Sequence, residues 1–187
     1  MNNAGAAWRG TFAEGGYENV RRNMELNFDS VVRLTEELLP LLRESAPSAI
    51  VNVASTAGRV ARAGSGAYSA SKFALIGWSD ALHQEEAASG VHVGMVLPGF
   101  IKTEGFPAEE LHAKASTRWI VSDVGKVADA IYDVAINRKA ERYVPRPYGL
   151  AAGARLLAPW LLRRAGSSEQ AQVFTTKTGE TDDKPGA

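Results

Sequence analysis

Ser55-Thr56-Ala57-Gly58-Arg59-Val60-Ala61-Arg62-Ala63-Gly64-Ser65-Gly66-Ala67-Tyr68-Ser69-Ala70-Ser71-Lys72 is the stretch that decides how this chain is read. A loop of small residues leaves the apolar run Ile50-Val51-Asn52-Val53-Ala54 and arrives at Tyr68 through Lys72, at the start of a helix. Tyr68 and Lys72 are four residues apart, so on a helix opened by Tyr68 both side chains leave one face and can meet over one ligand. A phenol ionises near pH 10, so proton transfer near neutrality requires a shift of roughly three pH units, about 4 kcal/mol. An ammonium one helical turn away favours the phenolate and supplies part of that shift. Ser55 stands at the carboxyl end of the apolar run, where ligands of open α/β sheets sit. Its hydroxyl can orient the oxygen that Tyr68 protonates.

The stretch resembles the active-site signature of the short-chain dehydrogenase/reductase family. Tyr-x-x-x-Lys alone is a weak signal. Asn2-Asn3-Ala4-Gly5, Asn27, Pro98-Gly99 and Thr103 add four matches in the family's order, and the resemblance runs from Met1 to Val144. It implies an α/β fold, the C-terminal part of a Rossmann-like doubly wound parallel sheet, with about three strands and flanking helices over residues 1–148. It also implies NAD or NADP as cofactor of the full-length form, and a small carbonyl or secondary alcohol as substrate. By the same resemblance Tyr68 is the acid/base, Lys72 lowers the Tyr68 pKa and binds the nicotinamide ribose, and Ser55 orients the substrate oxygen. Asn27 kinks its helix and holds a water that joins the lysine to solvent. Asn3, Ala4 and Gly5 pass the adenosine ribose, Asn3 also tying the central strands together. Pro98, Gly99, Ile101 and Thr103 hold the nicotinamide and its carboxamide.

In the family three strands precede the Asn-Asn-Ala-Gly segment and carry the glycine-rich phosphate turn. Gly15-Gly16 and Gly64 to Gly66 do not follow a strand with the required GxxxGxG spacing and read as loop glycines. The expectation is therefore the C-terminal part of a longer enzyme, through either a misplaced start codon or a genuine truncation. Such a chain is expected to bind cofactor poorly and to expose an unpaired sheet edge. The alternative function is then an inactive fragment, or a module that pairs with another chain. Sugar-nucleotide epimerases share Tyr and Lys at this spacing, but Asn2-Asn3-Ala4-Gly5 and the short segment after Gly99 favour a single-domain dehydrogenase.

Composition narrows the class without naming a chemistry. With 187 residues, 45% hydrophobic and 22% charged, the chain suits one globular domain with a real core. Its 21 basic and 21 acidic residues balance, so no field of one sign points to nucleic acid. The lack of cysteine removes disulfides and thiolate metal sites and fits a cytoplasmic protein. No apolar secretory segment opens the chain. His83, His92 and His112 lack metal-ligand spacing, so no metal site is expected.

Elsewhere the pattern gives ordinary α/β elements. Val20, Met24, Phe28, Val31, Val32, Leu34, Leu38, Leu39 and Leu42 predict one amphipathic helix from Gly16 to Glu44, bent or ended by Pro40. Ala49–Ala54 and Val91–Leu97 read as buried parallel strands, and Arg142–Val144 as a short final one. A helix from Ala67 to Ala88 has a small-residue face; in the family it and the preceding helix form a subunit interface, implying a homo-oligomer. Glu104 to Ile120 suits a substrate loop, with Phe106, Leu111 and Trp119 available to line a pocket. Ser122 is the expected N-cap of a helix over Val124–Asn137. Residues 149–165 form an amphipathic segment rich in leucine and arginine and broken by Pro159, and 166–187 are polar, as in a disordered tail. The amphipathic segment is too short to span a bilayer, and covering the cleft or a neighbouring subunit is preferred to lying on a membrane surface.

Overall fold

The computed structural model describes residues 1–102 and 121–166. Thr103, the loop residues Phe106, Leu111 and Trp119, His112 and the tail beyond Gly166 lie outside the described residues.

The first helical stretch comprises α1 (Phe12–Met24), a π-helical turn (Glu25–Asp29) and α2 (Ser30–Glu44). It begins earlier than its apolar spacing predicts, because Thr11 and Glu14 close a capping box ahead of the apolar stripe. Gly16 breaks the helical path inside α1 with φ +51°, a conformation open to glycine at little cost. Pro40 does not end α2, which continues to Glu44. Arg43 then ties its end to the buried Glu86, Nε to Oε2 at 2.8 Å.

Strand β1 (Ser48–Val53), α3 (Gly66–Glu85) and β2 (Val91–Pro98) follow, the loop after β1 holding a 3₁₀ turn at Thr56–Gly58. Two short strands, β3 (Phe100–Lys102) and β4 (Val121–Asp123), pair in parallel with Phe100 opposite Val121. The apolar spacing does not predict this second sheet, since each strand is only three residues long. Helix α4 (Val124–Ile136) is capped by Asp123, whose carboxylate accepts from the Lys126 amide at 3.0 Å. Ser122 is thus not the cap; it lies inside β4. Strand β5 (Glu141–Val144) and two helices, α5 (Tyr148–Leu157) and α6 (Pro159–Gly166), complete the described chain.

The main sheet has the order β1-β2-β5, all parallel, with Ile50 opposite Val93 and Val96 opposite Arg142. Strand alternation sends Met95 and Leu97 to one face and Val96 to the other. On the first face they pack with Ala54, Val31 of α2, and Leu75 and Ile76 of α3. On the second, Val51, Val96 and Val144 pack with Ala130 and Val134 of α4. Helices therefore cover both faces, as parallel strands buried on both sides require. Leu75 and Leu97 are almost wholly buried, and cutting either to alanine would cost roughly 2–5 kcal/mol. Asn2 adds one parallel rung to β1, its amide donating to the Val51 carbonyl at 2.8 Å and its carbonyl accepting from Val53 at 2.9 Å.

Candidate active site

The site forms where β1 and β2 end and α3 begins. Ser55 leaves β1 in extended conformation and caps the 3₁₀ turn, its Oγ accepting from the Ala57 amide at 3.1 Å. This turn lies directly on α3: a Cβ at Gly58 would stand 2.5 Å from Ile76 Cδ1 and 2.7 Å from the Lys72 carbonyl oxygen. That close contact holds Ser55 over the first turn of α3. The Ser55 hydroxyl stands near the Tyr68 phenol, whose pKa it pulls down, and donates to the Pro98 carbonyl oxygen at 3.4 Å.

Lys72 is turned inward. Its Nζ donates to the Val53 carbonyl at 2.9 Å and sits 5.9 Å from the centre of the Tyr68 ring. Burial in a low-dielectric setting disfavours the ammonium and brings its pKa down to about 8. Desolvation also moves the Tyr68 phenol up from its ordinary value. Three groups oppose that rise: the neighbouring Ser55 hydroxyl and the positive charges of Arg9 and Arg62. The cationic help visible at Tyr68 thus includes two arginines that the Tyr-x-x-x-Lys spacing does not reveal.

Asn27 is fully buried inside the π-helical turn. It makes a two-way amide pair with Ala6, Nδ2 donating to its carbonyl at 2.8 Å and Oδ1 accepting from its N–H at 3.1 Å. Its Nδ2 also lies 3.2 Å from Ser71 Oγ, which donates to the Tyr68 carbonyl at 2.8 Å. Asn27 therefore joins the N-terminal segment to the first turn of α3. Gly5 leaves the room for this: a Cβ there would come within 2.7 Å of Asn27 Oδ1 and 3.6 Å of Lys72 Nζ.

Asn27, Ser55, Tyr68, Lys72, Gly5 and Pro98 thus share one region. Asn3 and Ala4 are exposed beside it. The strand tie expected of Asn3 belongs to Asn2, whose Nδ2 donates to Asn52 Oδ1 at 2.8 Å while Asn52 Nδ2 donates to Ser79 Oγ at 2.8 Å. Along an extended segment neighbouring side chains leave opposite faces, so a one-residue difference decides which asparagine meets the sheet. Ile101 packs against the α4-side core. Thr103 lies outside the described residues. Gly99 is crowded by Tyr148, whose ring would lie 2.3 Å from a Cβ at position 99. The next residue, Phe100, stacks under the Arg62 guanidinium, 4.5 Å from ring centre to Cζ. The loops bearing Arg9 and Arg62 are joined by a hydrogen bond from the Gly10 amide to the Gly64 carbonyl at 2.9 Å. Among the described residues no cluster of three metal-ligating side chains occurs.

A family model described as short chain dehydrogenase matches residues 1–113. The ketoacyl reductase HetN of Nostoc sp. is 34% identical over 141 residues, 75% of this chain and 49% of that protein. The oxidoreductase claN of Passalora fulva is 36% identical over 145 residues, 76% of this chain and 63% of that protein. This chain therefore spans between about half and two thirds of these relatives' length. A solved structure, 4-hydroxyisoleucine dehydrogenase complexed with NADH, superposes with TM-score 0.66 at 23% identity, covering 76% of this chain and 64% of that one. That likeness establishes the fold.

Proposed function

The chain belongs to the short-chain dehydrogenase family, and we propose that in its full-length form it transfers a hydride between NAD or NADP and a small carbonyl or secondary alcohol. The observation that carries this reading is the convergence of Ser55, at the end of β1, on the first turn of α3, where the Lys72 ammonium lies 5.9 Å from the centre of the Tyr68 ring. Tyr68 Oη holds the proton that a carbonyl oxygen takes up on reduction and receives it from an alcohol on oxidation. Ser55 donates to that same oxygen and keeps it in line with the phenol. Lys72 supplies positive charge behind Tyr68, and its hydrogen bond to Val53 keeps the ammonium from swinging away. Asn27 holds the Gly5–Ala6 backbone against the helix that carries Tyr68 and Lys72.

The residues present suit the nicotinamide end of such a cofactor. Gly5 is exposed and bare of side chain beside the Lys72 ammonium, which leaves an approach for a ribose hydroxyl. Lys72 with Asn3, Ala4, Gly5, Pro98, Gly99, Ile101 and Thr103 would hold it. The bound cofactor would supply or accept the hydride. A homo-oligomer through α2 and α3 is part of the same proposal, supported by the exposed Leu34, Leu38 and Leu41 on α2 and Phe73 on α3.

The test is a Tyr68→Phe variant of the full-length form, assayed with a panel of carbonyls and both reduced cofactors. Turnover should vanish while cofactor binding, followed by nicotinamide fluorescence, and the circular dichroism spectrum stay as in the parent. Retained turnover would overturn the role of Tyr68. A second reading, a chain that binds a partner without turnover, is favoured by the open Asn3–Gly5 strip. Absence of any fluorescence change with NADH and NADPH would select it.

A further inference from the structure

The last two helices are apolar on the outside. On its inner side α5 buries Ala152, sets Gly149 against the Tyr143 ring and lays Tyr148 over Gly99. Its outer side carries Leu150 and Leu157, seven residues apart on one helical face, 79% and 89% exposed. Leu156 is 83% exposed at the lip of a cavity of about 430 Å³ lined also by Arg59, Tyr143 and Arg155. After the helical path breaks at Ala158, α6 presents Trp160, 64% exposed, with Arg163 exposed one turn further on. Leaving four large apolar side chains in water within eleven residues is costly, and the interior of this fold does not take them up. Covering the substrate cleft or a neighbouring subunit, the arrangements preferred from sequence alone, would place those side chains against protein instead.

Arginines outnumber carboxylates around this face, where the cavity-lining Glu141 is already paired with Arg59 at 2.6 Å. Between Glu141 and Glu169 the sequence holds five arginines and no carboxylate. Arg142 is engaged by Asp133, Nε to Oδ2 at 2.7 Å, while Arg146 and Arg163 stand exposed and Arg155 is half-buried. With the nearby Glu141 and Asp133 already paired with Arg59 and Arg142, a two-fold dimer through this face would bring arginine against arginine. A surface of anionic headgroups offsets them directly, and leucine with tryptophan beside arginine is the composition that settles at the boundary of headgroup and acyl chain. No helix among the described residues is long and apolar enough to cross a membrane, so the contact is one of lying on the surface. We propose that the outer face of α5 and α6 docks this chain on an anionic lipid bilayer, Leu150, Leu157 and Trp160 entering the interface while Arg146 and Arg163 meet the headgroups.

The proposal is independent of turnover and is tested on the whole chain. The protein is sedimented with vesicles of phosphatidylcholine alone and with about 30 mol% phosphatidylserine, at low and at near-physiological salt. Binding should require the anionic lipid and weaken as salt rises. A Leu157→Glu/Trp160→Glu variant should lose roughly tenfold or more in partitioning. Both side chains are exposed, so its circular dichroism spectrum should match the parent's. An Arg146→Gln/Arg163→Gln variant should bind more weakly and with a shallower salt dependence. The proposal is overturned if the parent stays in the supernatant with both vesicles, or if the Glu variant sediments as the parent does. It is equally overturned if light scattering finds a dimer that the Glu variant dissociates while no vesicle binding occurs, since a second copy would then be the occupant.

Discussion

Tyr148, the first residue of α5, occupies the space that any side chain at position 99 would need, its ring 2.3 Å from where a Gly99 Cβ would stand. Gly99 follows Pro98, whose carbonyl faces Ser55. A Gly99→Ala substitution should displace Tyr148 and loosen α5, costing about 1–3 kcal/mol in urea unfolding. A second change, Tyr148→Ala, should make the alanine at 99 cheaper than it is alone, giving a clear coupling energy in the double-mutant cycle. Equal stability of the parent and the Gly99→Ala chain would contradict the packing.

Asn27→Ala removes both hydrogen bonds to Ala6 and the contact with Ser71 together. The Ala6 amide and carbonyl lose their partner, at about 1–3 kcal/mol per group left unsatisfied in the interior. The expected result is a clear loss of stability in urea unfolding, with the amide protons around residues 5–7 exchanging faster. Unchanged exchange there would show that the N-terminal segment is held by other means.

Lys72 predicts an unusual dependence on alkaline pH. Its amine gives up the proton near pH 8 in the folded chain against 10.5 as the ordinary value. Below pH 8 both folded and unfolded states hold the proton, and the folded state bears the cost of the buried charge. Between about pH 8 and 10 the unfolded chain binds more protons, so stability contributed by this group rises with pH by about 1 kcal/mol per pH unit. A Lys72→Met chain should lack that rise. The check is the urea midpoint of both chains between pH 7.5 and about 9.5, before tyrosines titrate; parallel curves would refute it.

Arg62 stacks on Phe100 and its charge reaches the Tyr68 phenol. Replacing it by Gln removes one of the forces opposing desolvation, so the phenol should ionise at a higher pH than in the parent. Alkaline absorbance titration isolates the effect, comparing Arg62→Gln with and without Tyr68→Phe. A Tyr68 transition that stays in place or moves down would show that the arginine does not act on the phenol.

The convergence of Ser55, Tyr68 and Lys72 is legible in the sequence because a fixed spacing on one helix, Tyr68 to Lys72, and a strand end at Ser55 leave little freedom in how they meet. The parallel sheet is legible for a similar reason: Ile50, Val51 and Val53 and the whole of Val91–Leu97 are apolar enough to need cover on both faces. The arginines at positions 9 and 62 are not legible, since each lies in a loop whose path is set by one long-range backbone bond, Gly10 to Gly64. Nor is the choice of Asn2 over Asn3, which turns on the phase of a single β-bridge. Tyr148 falls beyond the matched motifs, and its contact with Gly99 depends on how the chain turns after β5.

The π-helical turn at Glu25–Asp29 carries one residue more than an α-helical turn would over the same rise. It therefore acts as a phase shifter, setting the angular origin of α2 about 100° away from an unbroken continuation of α1. The helix thus has a counted length as well as a pattern. Removing one residue from this turn would restore an ordinary α-helical turn and leave Val31, Thr35 and Leu39 facing the core as they do now, while withdrawing Asn27 from Ala6. The extra residue thus serves to present Asn27 to Ala6, and its loss should spare the packing of α2 while freeing the N-terminal segment.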